Sequence, residues 1–297
     1  MPEGPEVTTI ANGLSSILVG AEINEWTFND KSRYVNRAPD GYNSFMVDVN
    51  NPMIKVKVTE VASKGKFIYW KFSNGWVLFQ TLGMSGGWYH INKPHAGTIL
   101  KYTPSTHLLR DMHSTSAKHV QNGKLYFNDQ RRFGTLKWIA PTNARQELAK
   151  KLKEIGPDML NSPPALDEFL AILRKDKNKS RTINRIITDQ KQISGVGNYL
   201  RSEILYEAKI SPHRLIDSLT DIDIEKIYRA TIHKIVASYR VGGASIQHYS
   251  DIDNHKGTFA FHMAVYKKKH DPKGHVVKTE KIAGDGQSTY WVPSIQV

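Results

Sequence analysis

The feature that most constrains this chain is a double change in its hydrophobic period. Val7, Ile10, Ala11, Leu14, Ile17 and Leu18 fall on one face of a helix that Gly20 ends. From there to about residue 140 the period drops to two. Ile23, Trp26 and Phe28 come first, then Ile54, Val56 and Val58 alternating with Lys55, Lys57 and Thr59, and later FIYWKF and WVLFQTL. Asn122-Gly123 between AKHVQ and KLYF is a hairpin signal. A chain that alternates over so long a stretch buries its apolar face in a β-sandwich or barrel. At IAPTNARQELAKKLKEIGPDML the helical period returns, LDEFLAILR continues it, and Thr220 caps a long helix marked by Ile224, Ile227, Ile232, Ile235 and Tyr239. VGGASIQHYSDIDNHKG has no period and reads as a long loop of the kind that carries function. Two β-like runs close the chain, FAFHMAVY and STYWVPSIQV, around a lysine-rich hairpin. The expected fold is α+β, with a leading helix and β-sandwich over 1–140, a helical domain over 141–258 and a hairpin segment over 259–297.

Charge narrows the partner. Lysine and arginine number 41 against 28 acidic residues, for a net charge of +13, the footprint of a protein that binds a polyanion. Taken alone, that excess fits a merely basic soluble protein equally well. There is no cysteine, which removes disulfides, thiolate zinc sites and cysteine nucleophiles and fits an intracellular address. The twelve histidines, His270 and His275 among them, show no ligand spacing, so neither metal nor cofactor is expected. No apolar run approaches the roughly 20 residues of a spanning helix, and MPEGPEV is unlike a signal peptide.

The N-terminus is chemically suggestive. Once Met1 is gone, Pro2 offers a secondary amine able to attack the C1′ carbon of a nucleotide and form an iminium ion. An α-amino group titrates near about 8, and a helix starting beside it disfavours the protonated form further. Glu3 and Glu6 lie on the first helical turn, where the dipole favours carboxylates and where a proton shuttle would be placed. Pro2 and Pro5 also suit plain helix initiation, and these residues alone leave both readings open.

The opening does not stand alone. MPEGPEV, SKGKF, LGMSG, DQRRFG and TDQKQISGVGNYLRSEIL occur in the order and spacing of the formamidopyrimidine-DNA glycosylase / endonuclease VIII family, and the resemblance runs from Pro2 to Gln296. It implies an N-terminal β-sandwich, a helical domain with a helix-two-turns-helix, and a β-hairpin finger, with DNA bound in the cleft between domains. Carried over residue by residue, Pro2 resembles the nucleophile, Glu3 the proton donor and acceptor, and Glu6 the supporting carboxylate. Lys66 resembles the lysine on the phosphate beside the lesion, against the plainer reading of a surface charge on a strand. In ISGVGNYL, Gly195 and Gly197 allow close backbone approach and Asn198 can bind a DNA phosphate. Met84, Arg131 and Phe133 match the side chains that fill the hole left by a flipped nucleotide, although Met84 and Phe133 could equally be core residues.

The resemblance thus implies a bifunctional glycosylase and AP lyase of base excision repair acting by β,δ-elimination. GNYLRSEIL has the wording of the endonuclease VIII branch, which favours oxidised pyrimidines and hydantoin-type purines. The expected partner is damaged double-stranded DNA, with single-stranded DNA as a further ligand and the protein a monomer. A non-catalytic, structure-specific DNA-binding protein is the alternative. Two departures stand out. The cysteine positions of the bacterial zinc finger read as Lys273, Val276, Val292 and Ile295, within a retained frame of Val265, Tyr266, Gly286, Ser288, Thr289, Pro293 and Gln296, so a zincless finger is expected. Gln287 takes the place of the finger arginine that grips the lesion-flanking phosphates.

Overall fold

The computed structural model describes residues 2–105, 123–244, 250–282 and 285–297, which fall into two compact units. The first holds Pro2, Glu6–Lys153 and Ala244–Gly257; the second holds Glu3–Pro5, Glu154–Gly243 and Thr258–Val297.

In the first unit, helix α1 (Gly4–Leu18) presents its predicted apolar face, with Val7, Ile10, Ala11, Leu14 and Leu18 all buried. Eight strands follow: β1 (Glu22–Phe28), β2 (Val58–Lys64), β3 (Phe67–Phe72), β4 (Val77–Thr81), β5 (Gly87–Tyr89), β6 (Ala96–Thr103), β7 (Lys124–Asn128) and β8 (Thr135–Ile139). They form two antiparallel four-stranded sheets, ordered β1-β6-β7-β5 and β2-β3-β4-β8. Trp26 and Trp88 of one sheet meet Trp70 and Trp138 of the other in the shared core, with Trp26 5.1 to 5.8 Å from the other three rings. Fully buried Gln80 accepts from the indole N–H groups of Trp70 and Trp88 at 3.1 and 3.2 Å, so each sheet contributes one donor to a single amide oxygen.

Two local expectations in this unit need correction, and a third lies partly outside the described residues. Strand β2 begins at Val58, not at Ile54. Helix α2 (Tyr42–Val49) interrupts the strand pattern, with Phe45 buried against Phe72, Trp76 and Trp138. KLYF does form β7, and its neighbours in the sheet are β6 and β5; the AKHVQ arm of the expected hairpin lies outside the described residues.

After β8 comes α3 (Pro141–Glu154). The second unit holds α4 (Leu166–Leu173), α5 (Ile183–Ile186), α6 (Asn198–Ala208) and α7 (Asp221–Arg240), then the hairpin of β9 (Lys278–Lys281) and β10 (Ser288–Trp291). Thr220 caps α7 as expected: its hydroxyl accepts from the Asp223 N–H at 3.1 Å and the Asp223 carboxylate accepts from the Thr220 N–H at 3.1 Å. FAFHMAVY is not a strand. Phe259–His262 is a 3-10 turn, and beyond Met263 the amides of Ala264, Val265 and Tyr266 all donate to the buried carboxylate of Glu203 at 2.8 to 2.9 Å. Their donors are taken, so no strand neighbour can use them. Among the described residues no helix is long and apolar enough to cross a membrane.

The terminal hairpin has a very small apolar core of Ala264, Val265, Val277 and Val292, with Tyr206, Tyr290 and Ile295 packed on it. Val292 and Ile295, two of the positions that the sequence reading matched to the cysteines of a zinc finger, therefore lie in or on this cluster, while Val276 is 67% exposed. Asp271 organises the turn between them, accepting from the amides of Lys273 and His275 at 2.9 and 2.8 Å and from the Tyr206 hydroxyl at 2.8 Å. Among the described residues no group of three or more histidines and carboxylates could hold a metal ion.

Candidate active site and nucleic-acid interface

The N-terminal turn is built around Glu3. The GVGN loop of the second unit ends where α6 begins, and Gly197, its N-cap, has no side chain to offer the first free amides of the helix. Glu3 supplies the acceptors instead. Its carboxylate, 2% exposed, accepts from the amides of Gly197 at 2.6 Å, Tyr199 at 2.9 Å and Leu200 at 3.3 Å. An anion at the positive end of a helix dipole is favourably placed. Close approach makes this possible. The Gly4 amide donates to the Gly195 carbonyl at 2.8 Å, and a Cβ at Gly4 would stand only 2.9 Å from the Gly195 Cα. Gly195 itself has φ of 93°, the left-handed region that favours glycine. Pro2, the preceding residue, is buried.

Glu6, one helical turn on and 1% exposed, accepts from the Ala244 amide at 2.6 Å within the first unit. Ala244 is the fourth residue of VGGASIQHYSDIDNHKG, the segment read from sequence as a long functional loop, of which 245–249 lie outside the described residues. Lys66 sits in the two-residue turn between β2 and β3, beside Gly65 with φ of 57°, and not on a strand.

The three candidates for filling a flipped-out site come together on two touching loops of the first unit. Met84 lies half-buried in the turn after β4, while Arg131 and Phe133 lie exposed in the loop between β7 and β8. The Asp129 carboxylate joins the loops, accepting from the Ser85 hydroxyl at 2.7 Å and the Gly134 amide at 2.6 Å; Ser85 in turn accepts from the Arg131 amide at 3.0 Å. Gly83, at φ of 62°, sits so close that a Cβ would stand 2.6 Å from the Gly134 nitrogen. The Arg131 guanidinium lies 5.1 Å from the centre of the Phe133 ring, which is 51% exposed, so Phe133 is not a core residue.

Asn198 opens α6, and its neighbours are the residues that the sequence reading passed over. Arg201, 1% exposed at its side chain, donates to the Asn198 amide oxygen and to the carboxylate of Asp285, and it also reaches the Ser288 carbonyl and the Thr289 hydroxyl at 3.4 Å. Burial pulls Arg201 below the ordinary guanidinium range, and the charge of Asp285 opposes that fall. Asp285 also accepts from the Asn184 amide at 2.8 Å and from the backbone N–H of Gln287 at 3.2 Å. Half-buried Gln287 thus immediately precedes β10, in a turn tied to α6. The Tyr266 hydroxyl is hydrogen-bonded to Asn198; burial foremost, and then the charge of Glu3, push it up to about 12. The signal for Arg201 and Asp285 was an arginine at a helical position that faces the core, which demands a carboxylate from elsewhere in the chain.

A β-sandwich is joined in sequence to a helical unit, and the carboxylate next in sequence to Pro2 is held on the glycine-rich start of α6. Three family models match: the formamidopyrimidine-DNA glycosylase N-terminal domain over residues 1–136, its H2TH domain over 155–250 and its C-terminal domain over 250–297. The chain belongs to the formamidopyrimidine-DNA glycosylase family. It is 29% identical to the formamidopyrimidine-DNA glycosylase of Thermus thermophilus over 302 residues, covering 100% of this chain and 98% of the relative. The enzyme of Listeria monocytogenes is 28% identical over 300 residues, with both chains covered fully at 100%. Among solved structures, the MutM (Fpg) protein of Thermus thermophilus superposes with a TM-score of 0.76 at 26% identity, covering 99% of this chain and 98% of that one. A Lactococcus lactis Fpg mutant in complex with Fapy-dG-containing DNA has a TM-score of 0.78 at 22% identity, with 99% of each chain covered, a likeness of fold.

Proposed function

We propose that this chain is a bifunctional DNA glycosylase and AP lyase that uses the amine of Pro2 as its nucleophile. The observation that carries the reading is the setting of Glu3: three backbone amides hold its carboxylate next to Pro2 in sequence, leaving one of its roughly four lone-pair positions for a proton. The Pro2 nitrogen bonds to C1′ as the C1′–base bond breaks, and the departing base takes a proton that Glu3 delivers. The Pro2 N–H proton passes to Glu3 and on to O4′ as the C1′–O4′ bond breaks and the iminium forms; Glu3 then takes the C2′ proton as the C3′–O bond breaks and the 3′ phosphate leaves, and loss of the C4′ proton in a second elimination expels the 5′ phosphate. Glu6 supports the N-terminal turn, and Lys66 and Asn198 contact the phosphates flanking the lesion. Met84, Arg131 and Phe133 fill the vacated stack, and Gln287 occupies the finger position. Oxidised pyrimidines and hydantoin-type purines in duplex DNA are the favoured substrates, single-stranded DNA is accepted, and the protein acts as a monomer without a metal.

Borohydride trapping on duplex DNA with an abasic site or thymine glycol tests the mechanism. A covalent adduct is expected from protein lacking Met1 and none from protein whose amine is blocked. Undiminished trapping by the blocked protein would sink the role of Pro2. An absence of any adduct would favour the non-catalytic binding reading.

A further inference from the structure

An asparagine amide can face a phosphate in two ways, and only one is attractive. Its nitrogen side donates; its oxygen side, turned the same way, repels. The Asn198 oxygen accepts from Arg201, a side chain that can only donate, so the amide is turned with its nitrogen away from the guanidinium. Arg201 is itself fixed. Its guanidinium is buried, ion-paired to Asp285 and within 3.4 Å of the Ser288 carbonyl and the Thr289 hydroxyl. Asp285 stands at the head of the β10 turn, held by Asn184 and bonded to the Gln287 amide.

We propose that Asp285, acting through Arg201, is a positioning residue that fixes the Asn198 amide with its nitrogen turned from the guanidinium, so that one N–H beyond the one that meets the Tyr266 hydroxyl is left for a DNA phosphate and the hairpin turn and the phosphate grip form one unit. The proposal rests on the reading of Asn198 as a phosphate contact. It also gives the zincless hairpin a role in DNA binding, since a carboxylate at its turn sets the polarity of a group on a helix elsewhere in the same unit. The neutral Gln287 then sits on a turn whose local charge, that of Asp285, is already spent on Arg201.

The test is a double-mutant cycle read by the affinity for duplex DNA carrying a tetrahydrofuran abasic analogue. Asn198→Ala and Asp285→Asn should each weaken binding about tenfold, the scale of one hydrogen bond to a charged group. Because Asp285 acts through Asn198, Asp285→Asn in the Asn198→Ala background should weaken binding by less than about twofold further. Asp285→Glu, which keeps the charge, should retain most of the affinity. A buried arginine without its partner can unfold a protein, so the pair Arg201→Met with Asp285→Asn, which removes both charges, is run through the same cycle. Losses that multiply in full would overturn the proposal, as would normal binding by Asp285→Asn in the face of weakened Asn198→Ala. Normal binding by Asn198→Ala would remove the phosphate contact and the proposal together, while borohydride trapping by the wild-type protein reports on Pro2 independently of either.

Discussion

The β-sandwich and the terminal hairpin are held by different forces. The sandwich buries a large apolar cluster around four tryptophans, and its few buried polar groups, Gln80 foremost, are incidental to that burial. The hairpin's apolar cluster has four buried members, and the segment is held instead by carboxylates that collect backbone amides and side-chain donors: Glu203, Asp271 and Glu280. Here hydrogen-bonded anions take the part of a larger core, which teaches that a domain short of core can be specified by charge where every charge has its donors.

The comparison can be broken at either end. The largest effect is expected in the sandwich, where Trp26→Ala should cost about 3 to 5 kcal/mol by opening a cavity among rings at 5.1 to 5.8 Å. Denaturant unfolding measures it, and a loss below about 1 kcal/mol would mean that the tryptophan cluster is not the sandwich's main support. In the hairpin, Glu203→Leu should cost about 3 kcal/mol by stranding three buried amides, at about 1 to 3 kcal/mol for each unsatisfied group, tempered by water entry. Hydrogen exchange at residues 264–266 should quicken while strand β3 stays protected. Equal quickening in both would show that the two regions unfold together.

Acid sharpens the contrast with a smaller effect. Burial pushes the Asp271 carboxyl up, but hydrogen bonds from the His275 amide and the Tyr206 hydroxyl outweigh it and hold it at about 2, against an ordinary value of 3.8. Burial likewise opposes, and bonds from Lys278, His213 and Trp291 outweigh, in bringing Glu280 from 4.5 to about 2. Both pKa values are depressed on folding, so the stability they give is full above the unfolded values of 3.8 and 4.5 and is lost as pH falls through about 2. The hairpin should therefore loosen between about pH 4 and 2, reported by Trp291 fluorescence, and Asp271→Asn should flatten that transition. An unchanged profile in Asp271→Asn would remove Asp271 from the set.

These forces also decide what could be read from the sequence. Helix α1, the strand FIYWKF and the Thr220 cap were legible because burial follows a simple period or a local hydrogen bond there. Helix α2 was missed although Tyr42, Phe45, Met46 and Val49 have helical spacing, since a short run rich in aromatic and β-branched residues inside a strand region is ambiguous. FAFHMAVY looked like a strand because its residues suit one, and only Glu203, about sixty positions earlier in the chain, decides otherwise. Among the proposed site residues, Pro2, Glu3 and Asn198 were read from the motif series. Arg201 and Asp285 were not, because their partnership joins residues that no local pattern links.

The smallest effect concerns Gln287, where the hairpin's economy of charge meets its proposed role. Arginine brings a permanent charge and a planar fork of donors to a phosphate; glutamine brings one neutral amide. A charge-assisted hydrogen bond is worth about 1.5 to 3 kcal/mol against about 1 for a neutral one, so Gln287→Arg should raise the rate of lesion excision from duplex DNA about fivefold. The gain should be greatest for paired lesions that resist flipping, and smaller at pre-formed abasic sites. There is a competing outcome built into the turn. Asp285 lies two residues away with its carboxylate committed to Arg201 and to the Gln287 amide, and a new guanidinium could draw that carboxylate off. In that case excision would slow and binding of abasic DNA would weaken, the outcome expected when Asp285 loses its charge. Single-turnover kinetics on a thymine glycol duplex and on an abasic duplex separate the two. A faster first rate with a nearly constant second supports a finger that grips the lesion phosphates, whereas equal slowing of both would assign position 287 to the support of Asp285 instead.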